Sequence, residues 1–177
     1  MRANAPTASA PGADPHANMR VMSSAKSANF ERSRRGVNLA LIVTASLIIA
    51  YWIAWWSDRT LVASRRTASY YSFEEGFQLA DAWLLATVLA ATVQLSRRRP
   101  SAVLWLVAAG GAGLYLLGMD MFYDFGHATY GSGSGGVIEL VIDILLAAAS
   151  IGVLWWSWHY RSELLDDTAR GRRRPRA

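Results

Sequence analysis

The chain contains no cysteine, a single lysine (Lys26) and only three histidines. Without thiols, disulfides, thiolate catalysis and Cys-ligated zinc or iron–sulfur centres are excluded. His16, His127 and His159 are too dispersed for a His-rich ligand set. The His-x-x-Glu-His spacing, the Gly-x-Ser-x-Gly elbow and a phosphate-binding loop are all absent, so a zinc hydrolase is not expected. Also missing is the even scatter of charge that a soluble domain of this length lays along its amphipathic faces.

Long apolar runs alternate instead with short Arg-rich segments, which is the pattern of an integral membrane protein. A net charge of +5 could point to nucleic acid, since a basic domain is its usual electrostatic footprint. The arginines, however, flank the apolar runs rather than forming a stripe. They read as topology signals, and no nucleic-acid partner is expected.

The expected fold is an all-α four-helix transmembrane bundle, with spans at about 37–56, 73–95, 101–125 and 136–158. Each has at least the roughly 20 residues that a hydrocarbon layer of about 30 Å requires. Residues 1–30 are rich in Ala, Pro, Ser and Asn without periodicity and are expected to form a disordered tail. The membrane domain then covers 31–165, and 166–177 forms a basic tail. That tail carries Arg170, Arg172, Arg173, Arg174 and Arg176, which would lie against anionic inner-leaflet lipid.

Four spans put both termini and the 96–100 loop on one side of the cell membrane. That side holds Arg32, Arg34, Arg35, Arg97, Arg98, Arg99 and Arg161, against Arg59, Arg65 and Arg66 on the other. The bias predicts that both termini are cytoplasmic. Aromatic residues mark the interfaces, with Trp52, Trp55, Tyr70, Tyr71, Tyr123 and Tyr130 at the outer end. The third span is rich in small residues, including Gly110, Gly111, Gly113 and Gly118. Close helix packing in lipid needs such residues. They are expected to serve a neighbouring helix of the bundle or, alternatively, a homo-oligomer seam.

With this topology the intramembrane acids gather at the outer end. Glu74, Gln78 and Asp81 share one helical face by their i, i+4, i+7 spacing, and Asp120, Asp124 and His127 repeat it on the third span. Glu139 and Asp143 follow at i, i+4 on the fourth. Ionised carboxylates in hydrocarbon cost about 2.5–3.5 kcal/mol each, so these groups must face inward and find partners. Glu75 is accounted for by a capping box begun at Ser72. Glu74 and Glu139 suit the first turn of a helix, where acids favour the dipole.

Asp81, Asp120 and Asp143 lie too deep for those accounts and are expected to converge on one cavity. If they do, a shared proton, an arginine or a bound cation must compensate their charge. Carboxylates with one imidazole can hold a hard divalent cation, although no cofactor is required.

The pattern Phe73…Ala80-Asp81…Met119-Asp120…Tyr123-Asp124…His127…Tyr130, spanning about 70–145, resembles small uncharacterised bacterial four-span integral membrane proteins. The resemblance implies the fold and no activity. Three functional expectations remain open. One is a binding or transport-related protein whose outer carboxylates take a proton, a cation or an amine ligand. Another is a structural or accessory subunit whose acids only pack helices. The third is an intramembrane lipid-headgroup enzyme using a carboxylate or His127 as general acid/base.

The orientation is directly testable. Reporter fusions after Arg99 and Ala177 are expected to read cytoplasm, and one near Gly133 the outside. A cytoplasmic signal at Gly133 overturns the arrangement and the depth of every acid with it.

Overall fold

The computed structural model describes residues 15–63, 66–131 and 133–172. Among these the chain is all-helical: α1 (Pro15–Asp58), α2 (Ala68–Ser96), α3 (Ala102–Gly126), α4 (Ser134–His159) and α5 (Arg161–Arg172). Single 3-10 turns at Arg59–Leu61 and Thr129–Gly131 lie in the connections after α1 and α3. The first four helices are long and apolar enough to cross a membrane, in agreement with the four expected spans.

Two segments differ from the expectation. Residues 15–30, read from the sequence as part of a disordered tail, continue α1 as helix. The apolar span nucleates the helix, after which each added residue gains a hydrogen bond at little cost, and Ala, Met and Arg tolerate helix well. At 44 residues α1 is about 66 Å long, roughly twice the hydrocarbon thickness, so it projects beyond the membrane. The expected basic tail likewise begins inside a helix, α5. Residues 1–14 and 173–177, and with them part of both expected tails, lie outside the described residues, as does Arg65.

The helices are neighbours in space in the order in which they follow in sequence. One extensive seam joins α2 to α3. Leu84, Val88, Ala91 and Leu95 of α2 and Ala102, Leu106, Ala109 and Leu116 of α3 are all buried, at helical spacings of three, four or seven. Lipid tails are as apolar as these side chains, so close packing rather than water exclusion holds the seam. Outward faces carry large exposed apolar residues such as Leu47, Leu79, Phe122 and Leu145, as a lipid-facing surface requires.

On α3, Gly110 and Gly113 are used against α4. A Cβ on Gly110 would lie 2.5 Å from Leu154 Cγ, and one on Gly113 would collide with Ser150 Oγ. Gly111 and Gly118 face open space instead. Gly136, in the first turns of α4, is pressed against the backbone of Thr129 and Tyr130.

At the arginine-rich end α1 closes onto α4 and α5. Phe30 stacks on Trp156 at 6.1 Å and meets Tyr160 at 5.3 Å, while Trp156 donates to Ser33 Oγ. Lys26 pairs with Glu163 of α5 at 2.7 Å, and that hydrogen bond holds the Glu163 carboxyl down at about 2. Helix α2 ends in a Schellman turn, with Arg98 N–H donating to Leu95 O and Arg99 N–H to Gln94 O. The residue at the left-handed position, usually glycine, is Arg98 at φ 53°. A side chain there costs about 1–2 kcal/mol.

At the opposite end α2 starts at Ala68, earlier than expected, with Thr67 Oγ1 accepting from Tyr70 N–H at 3.3 Å. The Ser72 capping box therefore does not form. Glu75 instead pairs with Arg59 at 3.4 Å.

These contacts separate the glycines into two classes. Gly110→Ala and Gly136→Ala are expected to lower the detergent melting temperature, each costing about 1–3 kcal/mol by overpacking. Gly111→Ala and Gly118→Ala should be neutral or stabilising, because alanine favours helix. Equal losses across all four would contradict the packing described.

Candidate functional site

The acidic residues meet at the end of the bundle away from the arginine-rich turn, and aromatic side chains on neighbouring helices reach them. Tyr51 of α1 donates to Glu74 Oε2 of α2 at 2.9 Å. One residue on, Trp52 Nε1–H donates to Asp81 Oδ2 at 3.0 Å. Tyr70 of α2 donates to Glu139 Oε1 of α4 at 2.9 Å, a bond across the bundle between residues both buried. Tyr130, in the connection between α3 and α4, donates to Asp143 Oδ2. Four carboxylates on two helices thus accept from four aromatic donors elsewhere in the chain.

The local sequence sets up these pairs. Tyr51 and Trp52 are adjacent on α1 and sit beside Glu74 and Asp81, which are two turns apart on one face of α2. Tyr70 lies one turn before Glu74, and its hydroxyl reaches across to Glu139. Gly136 lets α4 approach the Thr129–Gly131 turn without a Cβ between them, which brings Tyr130 over Asp143. Burial and the Asp143 carboxylate both push the Tyr130 phenol up, so it remains a donor.

Asp120 of α3 sits in the middle. Its acidic neighbours are Asp143, Glu139, Glu74 and Asp124, drawn from α2, α3 and α4. Asp143 of α4 is one of these close acidic neighbours. Asp143 is 4% exposed, and while Oδ2 accepts from Tyr130, no N–H or O–H donor among the described residues reaches the buried Oδ1.

The expected site residues are therefore distributed unevenly. Glu74, Asp120, Asp124, Glu139 and Asp143 are brought together. Asp81 is set to one side, against Trp52, with Glu74 as its acidic neighbour. His127 is exposed at the end of α3, where it stacks on Tyr123 at 4.0 Å with Nδ1 2.9 Å from the Tyr123 carbonyl. Among the described residues no three carboxylate or imidazole groups stand close enough to hold a metal ion together.

The residues that sequence reasoning missed are the donors. In the sequence Tyr70, Trp52 and Tyr130 read as interfacial belt residues, which their position alone supports equally well. A usable signal was present: Tyr51, Trp52, Tyr70 and Tyr130 fall at the same predicted depth as the acids, and hydrocarbon offers those acids no other donor.

No protein-family model, curated protein or solved structure matches the chain.

The network makes the phenols separable from the rings that carry them. Tyr70→Phe keeps the ring and leaves Glu139 without its donor, so the melting temperature should fall, by about 1–3 kcal/mol for an unsatisfied buried acceptor. Tyr115→Phe, on an exposed side chain of α3, should change nothing. If Tyr70→Phe melts as the parent does, the Tyr70–Glu139 bond does not hold α2 to α4.

Proposed function

We propose that this polytopic membrane protein binds protons, and that Asp120 and Asp143 hold one proton between them. The observation that carries the reading is the pair itself. Two carboxyl groups are acidic neighbours in the interior, and no donor among the described residues meets the buried Oδ1 of Asp143. A proton on Asp120 would supply that donor and remove the repulsion between the two charges. Lys26, Arg34, Arg59 and Arg98 spend their ion pairs on Glu163, Glu31 and Glu75, away from Asp120 and Asp143. The Arg59–Glu75 pair lies at the rim.

On this reading the acids divide by role. Glu74, Asp81 and Glu139 accept from tyrosine or tryptophan and fasten helices, which is the structural use of buried polar groups in lipid. Asp120 and Asp143 carry the exchangeable proton, with Tyr130 steadying the Asp143 carboxylate. If the arginine-rich end is cytoplasmic, as the charge bias predicts, the pair opens toward the outside. An ammonium group or a cation would be drawn to the same two carboxylates in place of the proton, which makes a transport-related role with proton exchange the natural extension.

Infrared spectroscopy of the purified protein tests the pair. A protonated carboxylic-acid band should be present at neutral pH. It should be lost in both Asp120→Asn and Asp143→Asn, because the one proton belongs to both groups. Each variant should still melt cooperatively, since asparagine keeps the shape and removes only charge. A parent protein with all its carboxylates ionised at neutral pH overturns the reading, as does a band unchanged in both variants.

A further inference from the structure

A second feature lies at the opposite end of the bundle and is independent of the carboxylate network. Arg34, Leu95, Arg98, Arg99, Ala102 and Leu164 line a shallow, closely packed surface crevice where α1, the α2–α3 turn and α5 meet. Half of that lining is arginine and none of it is acidic. We infer that this crevice is a binding site for a phosphate group, presented by an anionic lipid headgroup at that membrane face.

The arginines are organised rather than merely numerous. Glu31 of α1 holds two of them side by side, accepting from Arg34 at 2.9 Å and from Arg98 at 3.0 and 3.1 Å. Arg34 also donates to Leu95 O at 3.2 Å, which fastens its guanidinium to the end of α2. Three arginines against one carboxylate leave two positive charges at the crevice. Guanidinium forks match phosphate oxygens, and fixed forks lose less freedom on binding.

Two backbone features point the same way. Arg98 occupies the left-handed position of the Schellman turn, where glycine would be unstrained. A strained arginine that persists at such a position is an outlier from which a role for its side chain follows. Helix α3 also begins in the crevice wall at Ala102, and its N-cap Ser101 makes no side-chain cap bond. The positive end of that helix dipole adds to the arginines.

The apolar half of the lining, Leu95, Ala102 and Leu164, favours a lipid over a free anion. A basic pocket between spanning helices beside the bilayer surface is where an acidic headgroup can be bound while its acyl chains remain among the lipids.

The purified full chain in neutral detergent micelles is titrated with phosphatidylglycerol, phosphatidylcholine or inorganic phosphate. Melting temperature and bound lipid by native mass spectrometry are read together. Phosphatidylglycerol should bind and raise the melting temperature, and phosphatidylcholine should not. Arg98→Gly is the informative variant, because it relieves the backbone strain while removing the guanidinium. It should fold at least as well as the parent yet bind phosphatidylglycerol about tenfold more weakly, as should Arg99→Gln. Arg161→Gln, a charge loss at the same end but outside the crevice, should bind as the parent does.

A stabilisation by inorganic phosphate equal to that by the lipid, and lost in Arg98→Gly, would keep the phosphate site and overturn the lipid as its source. No stabilisation by either, or equal weakening by Arg161→Gln and Arg98→Gly, overturns the site.

Discussion

A polar side chain inside a bilayer cannot turn to water for its hydrogen bonds, and the arrangement of this molecule follows from that. The same constraint obliges the backbone to be helical through each span, since only a helix satisfies its own N–H and C=O groups along one segment. It then acts on the side chains. The acids Glu74, Asp81, Glu139 and Asp143 each accept a hydrogen bond from a residue elsewhere in the chain, so every such bond also ties two segments together. Tyr70 to Glu139 is the most consequential of these, because it joins α2 to α4 across the bundle.

The spans were legible because length and hydropathy are properties of a single segment. Four apolar runs of adequate length were visible in the residues, and four long apolar helices are present. Ends of elements were harder to read. Thr67 rather than Ser72 caps α2, because the aromatic pair Tyr70-Tyr71 and the Thr67 hydroxyl together favour an earlier start than the apolar pattern suggests. The extension of α1 back to Pro15 was not visible either, since composition argues about whether a segment folds alone and is silent on helix propagating from a neighbour. Among the acids, spacing placed Glu74 and Asp81 on one face correctly, but a shared face does not fix what lies opposite it. Asp81 meets Trp52 of α1, whereas Asp120 on α3 has Asp143 as an acidic neighbour.

The two ends of the bundle solve their electrostatics differently. At the arginine-rich end charge is met by opposite charge, in Lys26–Glu163 and in the Glu31 pairing with Arg34 and Arg98. These groups sit near water, where exposed pairs contribute little stability individually. Their geometry matters more, because Glu31 holds the Arg34 and Arg98 guanidinium groups together beside a helix terminus. At the acidic end the partners are phenols and an indole, and these groups are neutral.

A neutral donor satisfies a lone pair without cancelling a charge. Five acids brought together with phenols therefore keep either their negative charge or a proton, whereas the same acids paired with arginines would keep neither choice. Ionising all of them in low dielectric is the costly alternative, since each added charge raises the cost of the next. Protonation offsets that cost most where carboxyl groups are close neighbours, as Asp120 and Asp143 are. The tyrosine donors then act as more than fasteners. By committing Glu74 and Glu139 to fixed hydrogen bonds they would, on the proposed reading, leave the exchangeable proton to Asp120 and to Asp143, whose buried Oδ1 meets no donor among the described residues. An arginine introduced at Tyr130 would be the instructive contrast. It would neutralise Asp143, free Asp120 from sharing, and convert the proposed proton-holding pair into an ordinary buried ion pair.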